Sequence, residues 1–177
     1  MKDTLLAIRR LGALFGMVFF MSLVACAGVV PTQTYTVMAD SRTDDQNAYF
    51  LDYRYFHGST ILVEAPDYQV SRGDELVGTS IYGPMAIGTS LYAKWIDKSS
   101  GKIYEDTANL VGKLKGDING KRIYFMIRGS QMYVYLISHE TRSEGTSLIG
   151  PKYLDNHYIT QLYPDGSGKQ MAKEVKK

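Results

Sequence analysis

The chain has 177 residues, with 20 Lys or Arg against 18 Asp or Glu, for a formal net charge of +2. That near balance supplies no basic field of the kind nucleic acid requires, and a single cysteine excludes an intrachain disulfide framework. The length suits one ordinary domain with a real core, without room for two.

The N-terminus carries Lys2, Arg9 and Arg10, runs uncharged from Leu11 to Leu23 and closes on Leu23-Val24-Ala25-Cys26. A basic region, an apolar region and small residues in that order make a secretory signal. With Leu23, Ala25 and Cys26 in place, the segment resembles a bacterial lipoprotein lipobox over residues 1–28. The resemblance implies cleavage before Cys26, a diacylglycerol thioether on its sulfur, and a palmitate-type chain on the new amino group. Two or more acyl chains make attachment stable where one is marginal. An uncleaved anchor is the alternative, because Leu11–Val30 is uncharged and approaches the roughly 20 residues that span a bilayer. Arg9-Arg10 fits ordinary export better than the twin-arginine route. Ala27 differs from the aspartate that the resemblance associates with inner-membrane retention, so the expected location is the outer membrane, facing the periplasm.

The expected organisation is a signal over residues 1–25, an acylated cysteine and tether over 26–34, a β-rich domain over 35–166 and a flexible basic tail over 167–177. Removing residues 1–25 takes away Lys2, Arg9, Arg10 and Asp3, so that 20 basic and 18 acidic residues become 17 of each. In the tail Lys169, Lys173, Lys176 and Lys177 face only Glu174. With Cys26 acylated no thiol remains, and stability must come from packing.

The body reads as β structure. All 14 tyrosines follow the signal, in short turn-bounded segments rich in Ile, Val and Phe. Gln33–Val37 is an expected edge strand. Tyr49–Phe56 then turns through His57-Gly58-Ser59 into Thr60–Ala65, with Tyr49, Tyr53 and Tyr55 on one face and Phe50 and Phe56 on the other. Tyr68–Val70 and Thr79–Tyr82 are further expected edge strands, and Glu75-Leu76-Val77 a helical turn. Leu91–Asp97, with Trp95 in its middle, turns at Lys98–Gly101 into Lys102–Thr107. Asn119-Gly120 marks a turn before Arg122–Arg128, and Gly129-Ser130 suits a type II′ turn into Gln131–Ser138. In that hairpin Ile123, Phe125 and Ile127 oppose Tyr124, Met126 and Arg128, both sets largely apolar, which predicts a central pair covered on both faces. His157–Tyr163 forms a last strand before Pro164-Asp165-Gly166. The fold class is mainly β: a single-domain antiparallel β-sandwich or small barrel of consecutive hairpins, since alternation is the same in both.

Chemistry-bearing patterns are few. His57, His139 and His157 form no closely spaced ligand pair, so no metal is expected. His57-Gly58-Ser59 reads as a turn, and no Gly-x-Ser-x-Gly elbow occurs. The carboxylates of Asp44-Asp45, Asp74-Glu75 and Glu105-Asp106 are neighbours in sequence, and adjacent strand residues point to opposite faces. Asp117–Gly120 lacks most of a calcium loop and reads as a turn. No cofactor beyond the lipid on Cys26 is expected, and no enzymatic activity.

The segments Leu91–Asp97, Lys102–Thr107, Ile123-Tyr124-Phe125 and Tyr133-Val134-Tyr135 resemble a pattern in small uncharacterised proteobacterial lipoproteins. Some of these are similar to immunity proteins paired with type VI secretion lipase effectors. The resemblance implies a periplasmic protein that binds and blocks a toxic or lytic enzyme, a secreted effector or hydrolase. Tyrosine offers area, few rotatable bonds and a hydroxyl, and the candidate partner-binding residues are Tyr53, Arg72, Tyr92 and Tyr135. Loops at Arg72–Glu75 and His139–Gly145 are further contact points. The alternative function is a structural or assembly lipoprotein of an envelope or secretion complex. The expected partners are a protein and, through the lipid, a membrane, with no nucleic acid.

Overall fold

A computed structural model describes residues 30–165 and 173–175; the signal segment, Cys26 and most of the tail lie outside the described residues. In chain order the elements are β1 (Thr32–Asp40), β2 (Ala48–His57), β3 (Thr60–Glu64), α1 (Asp67–Arg72), β4 (Gly78–Ala86), β5 (Ser90–Asp97), β6 (Ile103–Asn109), β7 (Arg122–Arg128), β8 (Gln131–Thr141), a 3-10 turn (Lys152–Leu154), β9 (His157–Tyr163) and β10 (Lys173–Val175). They form two five-stranded sheets, β4-β1-β7-β8-β9 (sheet I) and β10-β6-β5-β2-β3 (sheet II). The architecture is a sandwich, and the alternation that left a barrel open resolves to two sheets.

The hairpins β2–β3, β5–β6 and β7–β8 fall where the turn residues place them. Gly129 has φ 59 while Ser130 has no positive φ, the pattern of the expected type II′ turn. One feature breaks the run of antiparallel hairpins: β1 pairs parallel with β7 over Thr36–Ala39. β1 is therefore no edge strand; it lies between β4 and β7. Its pairing with β7 stops at Ala39, and the buried Gln46 side chain takes over, its Oε1 accepting the Ile127 N–H at 2.8 Å. At the other end Gln33 Oε1 accepts from the Ile118 N–H and Asn119 Oδ1 from the Thr34 N–H, at 2.6 and 2.7 Å, clasping the preceding loop onto β1.

Four local expectations are corrected. Tyr68–Val70 is helical, inside α1, because Pro66 starts the turn, Asp67 and Arg72 suit its two ends, and Gly73 caps it at φ 70. Glu75–Val77 is extended rather than a helical turn, with Leu76 bridging to Phe50. A β-bulge between Phe50 and Asp52 reverses the faces of β2, so that Phe50 joins Tyr53 and Tyr55 in the core while Tyr49 points outward under Lys98, whose Nζ sits 3.6 Å from its ring centroid. Within the basic tail, Lys173–Val175 is ordered as β10 against β6.

The main core lies between the sheets. Phe50 and Phe125 meet edge-to-face at 5.4 Å, and Tyr53 packs against both. The polar atoms of Trp95 and Tyr55 are satisfied inside the core, as burial demands. Trp95 on β5 is fully buried and donates its indole N–H to the Gly129 carbonyl of the β7–β8 turn at 2.9 Å, joining sheet II to sheet I. At the opposite end Tyr55 accepts from the Gly88 N–H and meets the Tyr35 hydroxyl, which donates to the Ala86 carbonyl. Gly88 is required there: a Cβ would stand 2.0 Å from the Tyr55 ring.

A second cluster covers the outer face of sheet I. Tyr124, Met126, Tyr135 and Ile137 are capped by Leu154 from the segment between β8 and β9. The hairpin β7–β8 is thus buried on both faces, as its two apolar sets predict. Asp44 accepts from the Lys152 backbone N–H and Asp45 pairs with Lys152 Nζ at 3.2 Å, fastening that flap.

Trp95→Phe removes the inter-sheet hydrogen bond while keeping an aromatic ring, and is expected to cost about 2 kcal/mol from the lost bond and incomplete filling. Urea unfolding should show a lower midpoint with an unchanged slope; an unchanged midpoint contradicts the role given to this bond.

Candidate functional site

Opposite the flap-covered sheet, sheet II leaves its outer face open. The registers Asp52↔Lys94 and Lys94↔Glu105 place these three residues in one row across β2, β5 and β6. Tyr92 follows two residues earlier on β5, with Arg54 and Thr107 as its cross-strand neighbours. The period of two in each strand brings their side chains to the same face.

Two adjoining depressions of about 380 and 420 Å³ open on this face and share Asp52 and Tyr92. Both volumes lie in the range of small-molecule and side-chain pockets. The first is floored by Leu51, Ile96 and Ile103, walled by Val70 of α1 and its capping Gly73, and rimmed by Glu75 and Lys94. The second adds Arg54, Phe56 and Thr107.

Asp52 is only 7 % exposed. Its Oδ2 forms an ion pair with Arg54 Nη2 at 3.1 Å, whereas its buried Oδ1 has no hydrogen-bond partner. Tyr92 donates to Glu105 Oε2 at 3.4 Å. Burial first, then the negative charges of Glu105 and Asp52, push the Tyr92 hydroxyl up to about 12, so at neutral pH it is a protonated donor. The face therefore offers a donor at Lys94, a Tyr92 hydroxyl engaged with Glu105, carboxylate acceptors at Asp52, Glu75 and Glu105, and an apolar floor.

The structure divides the four sequence-derived partner-binding residues. Tyr53 is 5 % exposed inside the main core and Tyr135 is 2 % exposed under the flap, so both serve packing and leave the contact surface. Tyr92 is half-buried on the open face, and Arg72, exposed and paired with Asp74 at 2.6 Å, sits on the helix that walls the first depression. Asp52, Lys94 and Glu105 were missed by sequence reasoning: their convergence depends on the β2 bulge and on strand order, neither of which alternation reports. Cys26 lies outside the described residues.

The remaining candidates take structural places. The His57 Nδ1 donates to the Ile87 carbonyl at 2.7 Å beside the β2–β3 turn. Glu105 and Asp106 point to opposite faces, Asp106 accepting from the Tyr163 hydroxyl at 2.7 Å. Asp117 accepts from the Asn119 N–H at 2.9 Å in the expected turn. Among the described residues no group of three or more His, Cys, Asp or Glu is placed to hold a metal ion.

Tyr92 and Tyr135 are both held at about 12, above the 10.0 of a free tyrosine, and Tyr55 and Tyr124 are raised further, chiefly by burial. Folding favours their neutral form, so this stability is complete below pH 10 and is lost as the pH rises toward and past 12. An alkaline titration should show the tyrosinate absorbance of these residues arriving together with loss of the far-ultraviolet β signal. Their full ionisation with the fold intact contradicts the burial.

No family model matches the chain, and no curated protein or solved structure matches it either.

Proposed function

We propose that the mature chain is a lipid-anchored outer-membrane lipoprotein, facing the periplasm, that binds a protein partner through the outer face of sheet II. Its action is occlusion of a toxic or lytic enzyme rather than catalysis. One observation carries the choice of surface: the sandwich covers the β7–β8 part of the outer face of sheet I with its own β8–β9 flap and leaves the outer face of sheet II open, with charged groups around apolar depressions. Stable partners of this kind bury on the order of 1,600 Å² and draw most of their affinity from a few aromatic or Arg anchors. Tyr92, Arg54 and Arg72 supply such groups around the depressions.

A second reading rests on β4. This nine-residue strand ends sheet I and exposes Ile81 and Tyr82, at 45 and 70 %. Such an edge can take a strand from a larger envelope assembly, although Pro84 blunts one end of it.

Cys26→Ser should move the protein from the membrane fraction to the soluble or unprocessed fraction in the producing bacterium; persistence of a processed form on the membrane contradicts lipid anchoring. Affinity capture from envelope extracts of the producing and a competing strain, with residues 27–177 as bait, tests the partner. The expected result is one toxin or hydrolase in a stoichiometric complex, weakened by Tyr92→Ala and unaffected by Tyr158→Ala. Recovery of several envelope-machine components, with capture sensitive to Tyr82→Ala, favours the assembly reading instead.

A further inference from the structure

We infer that β4 is an interface between two copies of this chain, joined edge to edge about a twofold axis at Ser80, with Tyr82 of each copy laid into a depression beside Gly78 of the other. Of the four sheet edges among the described residues, three are blunted. β3 has five residues and ends on Glu64, β10 has three and carries Lys173 and Glu174, and the Leu162 carbonyl of β9 accepts from Lys113 Nζ at 2.9 Å. β4 runs nine residues without a charge and pairs only with β1. Such an association needs nothing from the outer face of sheet II, and it makes the chain itself, in place of a larger assembly, the occupant of this edge.

The hydrogen-bond phase of β1 decides which groups the edge presents. The Thr36 N–H donates to the Lys121 carbonyl at 3.0 Å, on the β7 side, and the Ser41 N–H to the Val77 carbonyl at 2.8 Å, on the β4 side. Val37 and Ala39 therefore bond toward β4 and engage Ile81 and Thr79, their partners in register. The backbone groups of Gly78, Ser80 and Tyr82 face away from the sheet, and at the next such position Pro84 has no N–H to offer. These three positions are self-complementary in an antiparallel pair: Ser80 meets Ser80 and Gly78 meets Tyr82. Sliding the copies by two residues either sets Pro84 against Gly78 or sets Tyr82 against Leu76, which is already bridged to Phe50.

The side chains fit the same register. Gly78, Ser80 and Tyr82 alternate onto the outer face of sheet I, where a depression of about 240 Å³ is lined by Met38, Asp40, Arg42, Gly78 and Ser80. Tyr82 of the same copy does not line it and is 70 % exposed. The twofold pairing brings Tyr82 of the other copy opposite Gly78, at the side of that depression, where Met38 and Arg42 offer a thioether and a guanidinium to an aromatic ring. Position 78 leaves this space because it must be glycine: a Cβ there would stand 2.2 Å from the Ala39 carbonyl oxygen. Knob and hole thus lie on one strand, and a twofold axis fills both holes at once. A net charge of only +2 sets little repulsion between copies.

Pairing over so short a stretch belongs with the small interfaces below about 1,200 Å², so the dimer is expected to depend on concentration. Sedimentation velocity of the full chain in non-ionic detergent, over a range of protein concentrations, should show monomer passing to dimer. Ser80→Lys and Tyr82→Lys, both at exposed positions, should each raise the dissociation constant about tenfold or more, while Tyr82→Phe leaves it nearly unchanged. Under a mild oxidant Ser80→Cys should give a disulfide-linked dimer, because directly opposed residues of such a pair lie about 5.5 Å apart at Cα. Thr60→Cys on the exposed β3 edge and the unsubstituted chain, which has only Cys26, set the background. A monomer at every concentration, a dimer insensitive to both lysine substitutions, or cross-linking of Ser80→Cys no faster than that of Thr60→Cys overturns the inference. Capture of envelope components that is lost with Tyr82→Ala, by a chain that stays monomeric, overturns it in favour of the assembly reading. None of these results bears on the contact face of sheet II, which stands or falls with Tyr92→Ala.

Discussion

The indole N–H of Trp95 reaches out of sheet II to the carbonyl of Gly129 in sheet I, and much of the molecule is arranged so that it can. The bond requires the β7–β8 turn to present a carbonyl inward, which a glycine at positive φ permits. It also requires β5 to lie centrally in its sheet, flanked by β2 and β6. With no disulfide available, alignment of the two sheets depends on such directional contacts within an otherwise apolar layer. The Tyr35 and Tyr55 hydroxyls do the same at the other end, where Gly88 admits the Tyr55 ring. Trp95, Tyr35 and Tyr55 thus lie inside the sandwich with their polar tips hydrogen-bonded within it.

The two outer faces receive different treatment from the same chain. On sheet I the residues alternating with the core set are Tyr124, Met126, Tyr135 and Ile137, too apolar for solvent, and a flap pinned by Asp44 and Asp45 covers them. On sheet II the corresponding positions include Arg54, Tyr92, Lys94 and Glu105, which solvent tolerates, beside the apolar Phe56, Ile96 and Ile103 of the depressions. Covering the β7–β8 part of one face internally leaves the outer face of sheet II as the more open sheet surface. The short helix α1 does not close it; it adds a wall and turns a flat sheet into a depression.

Much of the fold was legible because strand alternation and turn chemistry are local. Gly129-Ser130, Lys98–Gly101 and the double-sided apolar pattern of Ile123–Ile137 each carry their structure within a dozen residues. The parallel seating of β1 beside β7 is a contact between distant segments, and nothing in Gln33–Val37 distinguishes a central strand from an edge. The bulge at Leu51 exchanged the faces of half of β2, which is why Tyr49 and Phe50 stand opposite to their expected sides. The capping set around Tyr68–Val70, with Pro66, Asp67, Arg72 and Gly73, was present in the sequence but was outweighed by a short apolar pattern. For the site, Arg72 lies on a helix with no buried residues and Tyr92 alternates with the buried Leu91 and Ala93, whereas Tyr53 and Tyr135 have the same side chain as Tyr92 at strand positions that are buried. The Asp52-Lys94-Glu105 row is a product of strand order and register, so no single segment announces it.

The central claim of the proposal, that the outer face of sheet II meets the partner, is tested most directly by site-specific photocrosslinking in the producing cells. Tyr92 and, separately, Tyr158 on β9 of sheet I would be replaced by a photoreactive phenylalanine analogue. The account predicts one discrete higher-mass adduct from position 92 and none from position 158. An adduct from position 158 with none from position 92 would place the partner on the other sheet and contradict it.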